Sequence, residues 1–320
     1  MTRARSQLIE EVCTQLEGAG FRLSSPCDVR PTCFDLVARR DDQLVLIKVL
    51  CNIDALTRED AETLQVVAEF FNATPLVVGA KTRRGTLDED AVYKRHGIPT
   101  ITPVSLRRII AEERLPREYI QRGGRFVAID GAKLRKVRLE RRLSKQDLAD
   151  CVQVSARAIL AYEKDEMDVS TEVAERLERV LETDLIIPID IFHERGRGEH
   201  LRQPSTPADI SDLEKRVNEF FERLGMRVLW TDRAPFHVAA KEEGPPLMSG
   251  VGSLRSWSLK KRVEILKSVS KITEANAVLI VEEGKAEENV SEVPVIRQLE
   301  LDEINKPREL KKIITERAEM

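Results

Sequence analysis

Between Leu106 and Lys145 the chain carries thirteen Lys or Arg, at 107, 108, 114, 117, 122, 125, 133, 135, 136, 138, 141, 142 and 145. The same span holds five acids, at 112, 113, 118, 130 and 140, a local balance of +8. Clustered cations suit one kind of chemistry: each phosphate they neutralise releases condensed counterions and adds affinity that falls with salt. A basic run is also what a solvated helix face looks like, and part of this one has that role. After Lys164 the sign reverses in "EKDEMDVSTEVAERLERVLETD". Such a unit would turn its basic edge toward a polyanion and its acidic edge away. The whole-chain charge of −3 hides this asymmetry.

Other chemistries find little support. The five cysteines, at 13, 27, 33, 51 and 151, form no C-x-x-C pair, and no histidine stands at zinc-ligand spacing. They read as reduced thiols of a cytosolic protein, and neither metal nor cofactor is expected. No glycine-rich stretch matches a phosphate-binding P-loop. No apolar run approaches the ~20 residues that cross a bilayer, so no membrane association is expected.

The stretch "LSKQDLADCVQVSARAILAYEK", Leu143 to Lys164, reads as two short helices around a tight turn. Ser144 can cap the first, with Asp147 supporting it from the third position. Ser155 can cap the second. Leu148, small Ala149, Val154, Ile159 and Tyr162 supply the inward surface that two helices crossing over a tight turn require.

From Lys133 to Leu185 this sequence resembles the phage-repressor-like helix-turn-helix of the Xre or Cro/C1 family. "LSKQDLA" is similar to that family's "LSQEELA", and "VSARAILAYEK" to its "VSRSTISRIER". The resemblance implies a five-helix unit that docks on duplex DNA. Its reading head would be Ser155, Ala156, Arg157, Leu160 and Ala161. Only Arg157 offers a strong base contact, to guanine O6 and N7; Ala156 and Ala161 could touch a thymine methyl. Lys145, Arg138, Arg141 and Arg142 would hold phosphates, with Gln146 and Lys164 completing the set. Two residues depart from the pattern. Gln153 replaces the turn glycine, at a cost of about 1 kcal/mol if φ is positive. Lys145 replaces a glutamine, exchanging an adenine contact for a phosphate contact. The reading head is weak, so a homodimer on two half-sites is expected to supply the affinity. The plainer reading is a helical domain used for protein contact.

Around this unit the patterning changes. Residues 1–118 read as α-β-β-β-α-β-α-β-α, with Thr57 capping the second helix and "EDAVYKRHG" a short helix. From 132 to 186 strand signals vanish. "FHERGRGEHLRQPSTPADIS" reads as a linker ending near Asp209. Residues 209–320 repeat the opening: "DLEKRVNEFFERLGMRV" follows the order of "QLIEEVCTQLEGAGFRL", and "PFHVAAK" that of "CFDLVAR". The step from Phe34 to Pro75 equals the step from Phe236 to Ala277. The expected fold class is α/β plus all-α, a duplicated α/β domain flanking the helical one; the two copies either pack as a pseudo-dimer, mediate dimerisation of the chain or sense a signal.

The order of the first domain resembles the restriction-endonuclease-like fold of Holliday junction resolvases and many nucleases. That family uses an Asp on one strand and Glu-x-Lys on the next to bind Mg²⁺ and orient the attacking water. The resemblance assigns Asp35 and Lys48 to these places. Leu46 stands where the second carboxylate belongs, and an aliphatic side chain cannot ligate a hard cation. Glu10 or Glu11 would have to substitute. In the second copy His237 replaces Asp35, and "LMSGVGSL" has neither carboxylate nor lysine. The expectation is therefore a non-enzyme, with Asp35 and Lys48 a buried remnant pair. The alternative is a metal-dependent, structure-specific nuclease. The three-part order is similar to a family of archaeal helix-turn-helix regulators, which implies a cytosolic DNA-binding protein.

Overall fold

The computed structural model describes residues 3–192, 211–282 and 284–319. The expected linker, apart from its first and last residues, lies outside the described residues.

The chain opens with α1 (Arg3–Gly18), whose Leu8, Ile9, Val12 and Leu16 form one buried stripe, as their helical spacing requires. The strands β1 (Arg22–Leu23), β2 (Leu36–Arg40) and β3 (Gln43–Asn52) follow. Thr57 caps α2 (Arg58–Phe71) by accepting the Asp60 amide. Next come β4 (Thr74–Thr82), β5 (Gly85–Thr86), β6 (Ala91–Arg95), β7 (Ile98–Ile101) and α3 (Pro103–Ala111). The strands β3, β4 and β7 are parallel and almost wholly apolar, because helices cover both faces. Helices α1 and α3 pack on one face and α2 on the other.

The segment "EDAVYKRHG" is not a helix. Its Ala91–Arg95 is β6, turned back onto β7 through His96 and Gly97, both at positive φ. Val92 and Tyr93 fit a pleated, half-buried surface, and pairing on both sides overrides the short helical pattern.

The expected boundary between 118 and 132 is bridged by sheet. A hairpin of β8 (Glu118–Gln121) and β9 (Gly124–Ile129) joins β8 to β6. Four helices follow: α4 (Gly131–Glu140), α5 (Lys145–Val152), α6 (Ala156–Glu163) and α7 (Thr171–Leu181). Two-residue strands stitch them back onto β9: β10 (Val169–Ser170) and β11 (Ile186–Ile187), so this unit has four helices among the described residues where five were expected. Strands persist here although their sequence signal does not, because two residues are too few to show a period. The helical unit is thus fastened to the first domain's sheet through β9, while its apolar core is its own. The chain then returns to that domain, where Phe192 packs against Phe21 at 5.8 Å and the Ile189 amide bonds the Pro116 carbonyl.

The last part comprises α8 (Asp212–Arg223), β12 (Arg227–Trp230), β13 (Val238–Lys241), β14 (Leu247–Gly252), α9 (Trp257–Thr273), β15 (Asn276–Val281), β16 (Asn289–Val290), β17 (Val293–Arg297) and α10 (Pro307–Ala318). Its order β12-β13-β14-β15-β17 repeats β1-β2-β3-β4-β7 with the same parallel and antiparallel neighbours. One constant shift carries the register Val37–Leu46–Pro75 onto Ala239–Met248–Ala277.

The faces bearing α2 and α9 merge into one apolar cluster. Phe71 and Phe236 stack at 5.6 Å across this junction. At its rim Arg233 bridges Glu59 (2.7 Å) and Asp60 (2.8 Å), and Lys261 meets Asp28 at 2.8 Å. The two α/β units therefore pair within one chain.

Candidate nucleic-acid interface and nuclease-like centre

The turn chemistry of the helical unit forms as its residues dictate. Ser144 accepts the Asp147 amide at 3.1 Å while Asp147 accepts the Ser144 amide at 2.8 Å. These hydrogen bonds hold the Asp147 carboxyl below its ordinary range. Ser155 accepts the Ala158 amide at 3.1 Å. Leu148, Ala149, Val152, Ile159 and Tyr162 are buried. Gln153 ends α5 in the left-handed region, at φ 60° and ψ 48°, so the glycine-type turn survives without glycine. Its side chain accepts a 3.0 Å hydrogen bond from Arg176 on α7.

This packing leaves Ser155, Arg157 and Leu160 of α6 exposed, with Ala156 and Ala161 half-buried. Arg142 and Gln146 are exposed and Lys145 is half-buried. Arg142, Lys145 and Arg157 form no ion pair with any described residue. Gln146 donates to Asp150 one turn on, at 2.7 Å. Lys164 is exposed beside Glu166, 3.6 Å away.

Two of the expected phosphate ligands are drawn elsewhere. Arg138 is buried, and its Nε donates to Glu163 of α6 at 2.5 Å while Nη1 donates to the Leu143 carbonyl. It is a core residue and cannot reach a phosphate. The sequence holds the clue, since position 138 lies one turn beyond buried Leu134 on the inner face of α4. Arg141 leans onto α7, where it meets Glu182 at 2.9 Å. The basic run is also not one ridge: Arg108, Arg114 and Arg125 pair with Asp88, Glu89, Asp90 and Glu118.

The nuclease-like centre lies on β2 and β3. Asp35 is fully buried, with Arg5 Nη2 at 2.6 Å, Arg30 Nη1 at 3.2 Å and Lys48 Nζ at 3.9 Å. Its second oxygen accepts the Val49 amide at 2.8 Å. Lys48 donates its main hydrogen bond to the Thr32 carbonyl. Burial lowers the Lys48 pKa; Asp35 opposes this and Arg30 adds to it. Burial pushes the neighbouring Cys33 thiol up to about 12, as an inert apolar cysteine requires.

These residues do not fit a divalent cation. Leu46 is buried in the core, Glu10 and Glu11 lie on the exposed side of α1, and guanidinium groups surround the single carboxylate. No group of three His, Cys, Asp or Glu among the described residues could hold a metal. Sequence reasoning missed Arg5, although it continues the buried stripe of Ile9, Val12 and Leu16 one turn earlier.

At the corresponding position of the last α/β unit the same backbone role is filled without a charge. His237 Nδ1 accepts the Val251 amide at 2.9 Å, just as Asp35 accepts that of Val49. Lys48 is replaced by Gly250, where a Cβ would stand 2.9 Å from Leu279. Burial, with help from Arg262, pushes the imidazole down to about 4. Well above pH 6.5 His237 is neutral in both folded and unfolded chains. As pH falls toward 4 only the unfolded chain takes the proton, so stability is lost, by about 3 kcal/mol in all. Urea titrations across this window should show the decline, and His237→Asn, which keeps an acceptor for Val251, should flatten it. An identical decline in the variant would remove His237 as the cause.

The geometry defines a helix-turn-helix protein that also carries a nuclease-superfamily α/β domain. Residues 5–116 match the PD-(D/E)XK superfamily domain and residues 134–186 match a helix-turn-helix family. The chain is 37% identical over 310 residues to the "Putative HTH-type transcriptional regulatory protein" of Thermococcus kodakarensis, covering 97% of this chain and 95% of the relative. The protein of that name from Pyrococcus furiosus is 37% identical over 314 residues, 98% of each chain. That from Haloarcula marismortui is 34% identical over 320 residues, 99% of this chain and 98% of the relative. No solved structure matches. The chain belongs to this archaeal family of HTH-type transcriptional regulatory proteins.

Proposed function

We propose that this chain is a cytosolic, DNA-binding transcriptional regulator without enzymatic activity. The observation that carries this reading is the exposed surface at the start of α5 and α6. There Lys145 opens α5, Arg157 lies in the first turn of α6 and Arg142 sits in the turn before α5, all three without ion-pair partners among the described residues; caps and core fix the direction of both helices. Arg157 and Ser155 read the major groove, with Ala156 and Ala161 against base methyls; Lys145 and Arg142 hold phosphates, and Gln146 and Lys164 flank them. The family of its relatives points the same way. No helix among the described residues is long and apolar enough to cross a membrane.

The flanking α/β units serve as a mount. Their shared strand order and register support descent by internal duplication from a nuclease-like domain whose catalytic set has eroded. The protein acts as a homodimer on paired half-sites, through a face other than that of α2 and α9, which is already used within the chain.

Gel-shift titrations with fragments selected from the source genome test this reading. Arg157→Ala should erase about 1–3 kcal/mol of discrimination between sites. Lys145→Ala should weaken all sites alike and flatten the salt slope by about one. Unchanged binding by both variants refutes the interface.

A further inference from the structure

The sequence "KTRRG" at 81–85 puts Lys81, Arg83 and Arg84 on the tight hairpin between β4 and β5. All three are exposed, and none forms an ion pair with a described residue. The hairpin is held in place. Lys81 pairs with Thr86 and Thr82 with Gly85, and Thr82 Oγ1 accepts the Arg84 amide at 3.1 Å. Asp54 anchors it from below: one carboxylate oxygen accepts the Arg83 amide at 2.8 Å, and the other meets Arg95 at 2.6 Å.

The acids that follow in sequence do not compensate this charge. Asp88 is drawn to Arg125 at 2.6 Å, and Glu89 and Asp90 to Arg108 at 3.0 Å. Three cations are thus segregated on a pinned, protruding turn while three adjacent acids are consumed elsewhere.

The hairpin is also fixed relative to the helical unit. Following the pairings β4 with β7, β6, β8 and β9, the strand β9 runs in the same direction as β4. The hairpin beyond β4 and the entry into α4 beyond β9 therefore leave the sheet at the same end of its strands. Four strand spacings separate them, roughly 20 Å, which is less than one turn of duplex DNA at about 34 Å.

We propose that the β4–β5 hairpin is a second DNA contact, in which Lys81, Arg83 and Arg84 hold the phosphate backbone of duplex flanking the site bound by the helix-turn-helix. It rests on the reading of α5 and α6 as the primary DNA interface. The contact is sequence-independent, because flexible cations on a turn meet phosphates and no base edge. It extends the footprint and makes affinity depend on duplex length.

The test compares the full chain with the triple variant Lys81→Ala/Arg83→Ala/Arg84→Ala on mixed-sequence duplexes of about 15 and about 40 base pairs at several salt concentrations. On the long duplex the variant should bind roughly tenfold more weakly, with a salt slope smaller by up to about three. On the short duplex it should match the wild type. Its thermal midpoint should not change, since all three side chains are exposed. Equal affinity and slope on the long duplex overturn the second contact while leaving the primary interface intact. Failure of the wild type to bind any duplex at low salt overturns both. Loss of binding to anionic lipid vesicles, with duplex binding unchanged, would assign the hairpin to a membrane surface and also overturn the proposal.

Discussion

Arg138→Ala is expected to destabilise the helical unit by about 3–5 kcal/mol and to abolish DNA binding at moderate temperature, although Arg138 touches no DNA. The residue is 6% exposed and Glu163 only 9%. Their contact joins α4 to α6, the helix that presents Arg157. Removing the guanidinium strands a carboxylate in the core and frees the Leu143 carbonyl from its 2.8 Å hydrogen bond. The double variant Arg138→Leu/Glu163→Leu should recover much of the loss, because the stranded charge is gone; urea denaturation followed by circular dichroism measures both. A variant Arg138→Ala that unfolds like the wild type but shows a flatter salt dependence in gel shifts would return this residue to the phosphate set.

A loss of similar size, about 3–5 kcal/mol, is expected for Asp35→Ala. Among the described residues Asp35 is the only carboxylate ion-paired with Arg5, Arg30 and Lys48, Asp60 acting on Lys48 from further off, and without Asp35 the cations Arg5 and Lys48 are left as like charges in a largely buried site. The Val49 amide also loses its partner. A structural role and a catalytic one part company on two further readouts. A resident cation would raise the thermal midpoint as its concentration rises, by mass action on the folded state. Here Mg²⁺, Mn²⁺ or a chelator should leave that midpoint unchanged, and branched or linear duplexes incubated with either ion should remain uncut. Cleavage by the wild type that Asp35→Ala abolishes would reinstate a nuclease.

Both residues show where reading along the chain stops. Each occupies a position in a buried helical or strand pattern, and a charge at such a position demands a partner. Arg138 shares the inner stripe of α4 with Leu134, and Arg5 that of α1 with Ile9 and Val12. The pattern signals burial but does not name the partner. Glu163 stands 25 positions from Arg138, and Asp35 stands 30 from Arg5. A count of charge along the chain does not distinguish Arg138 from its exposed neighbours; the inward stripe of α4 does.

The sequence alone determined what depends on neighbours a few residues away: the caps at Thr57, Ser144 and Ser155, the turn opened by Gln153, the apolar stripes of α1 and α2, and the missing carboxylate at Leu46. It also carried the matching helix and strand order of the two α/β units, because hydrophobic spacing follows the shared architecture. Only the tertiary structure decided that Ala91–Arg95 is a strand, that β10 and β11 fasten the helical unit to the sheet, and that α2 and α9 share one core. Those outcomes depend on hydrogen bonds and burial between segments distant in the chain. Caps and periodicities act within one or two turns, whereas a two-residue strand or a shared face has no meaning until its partner arrives.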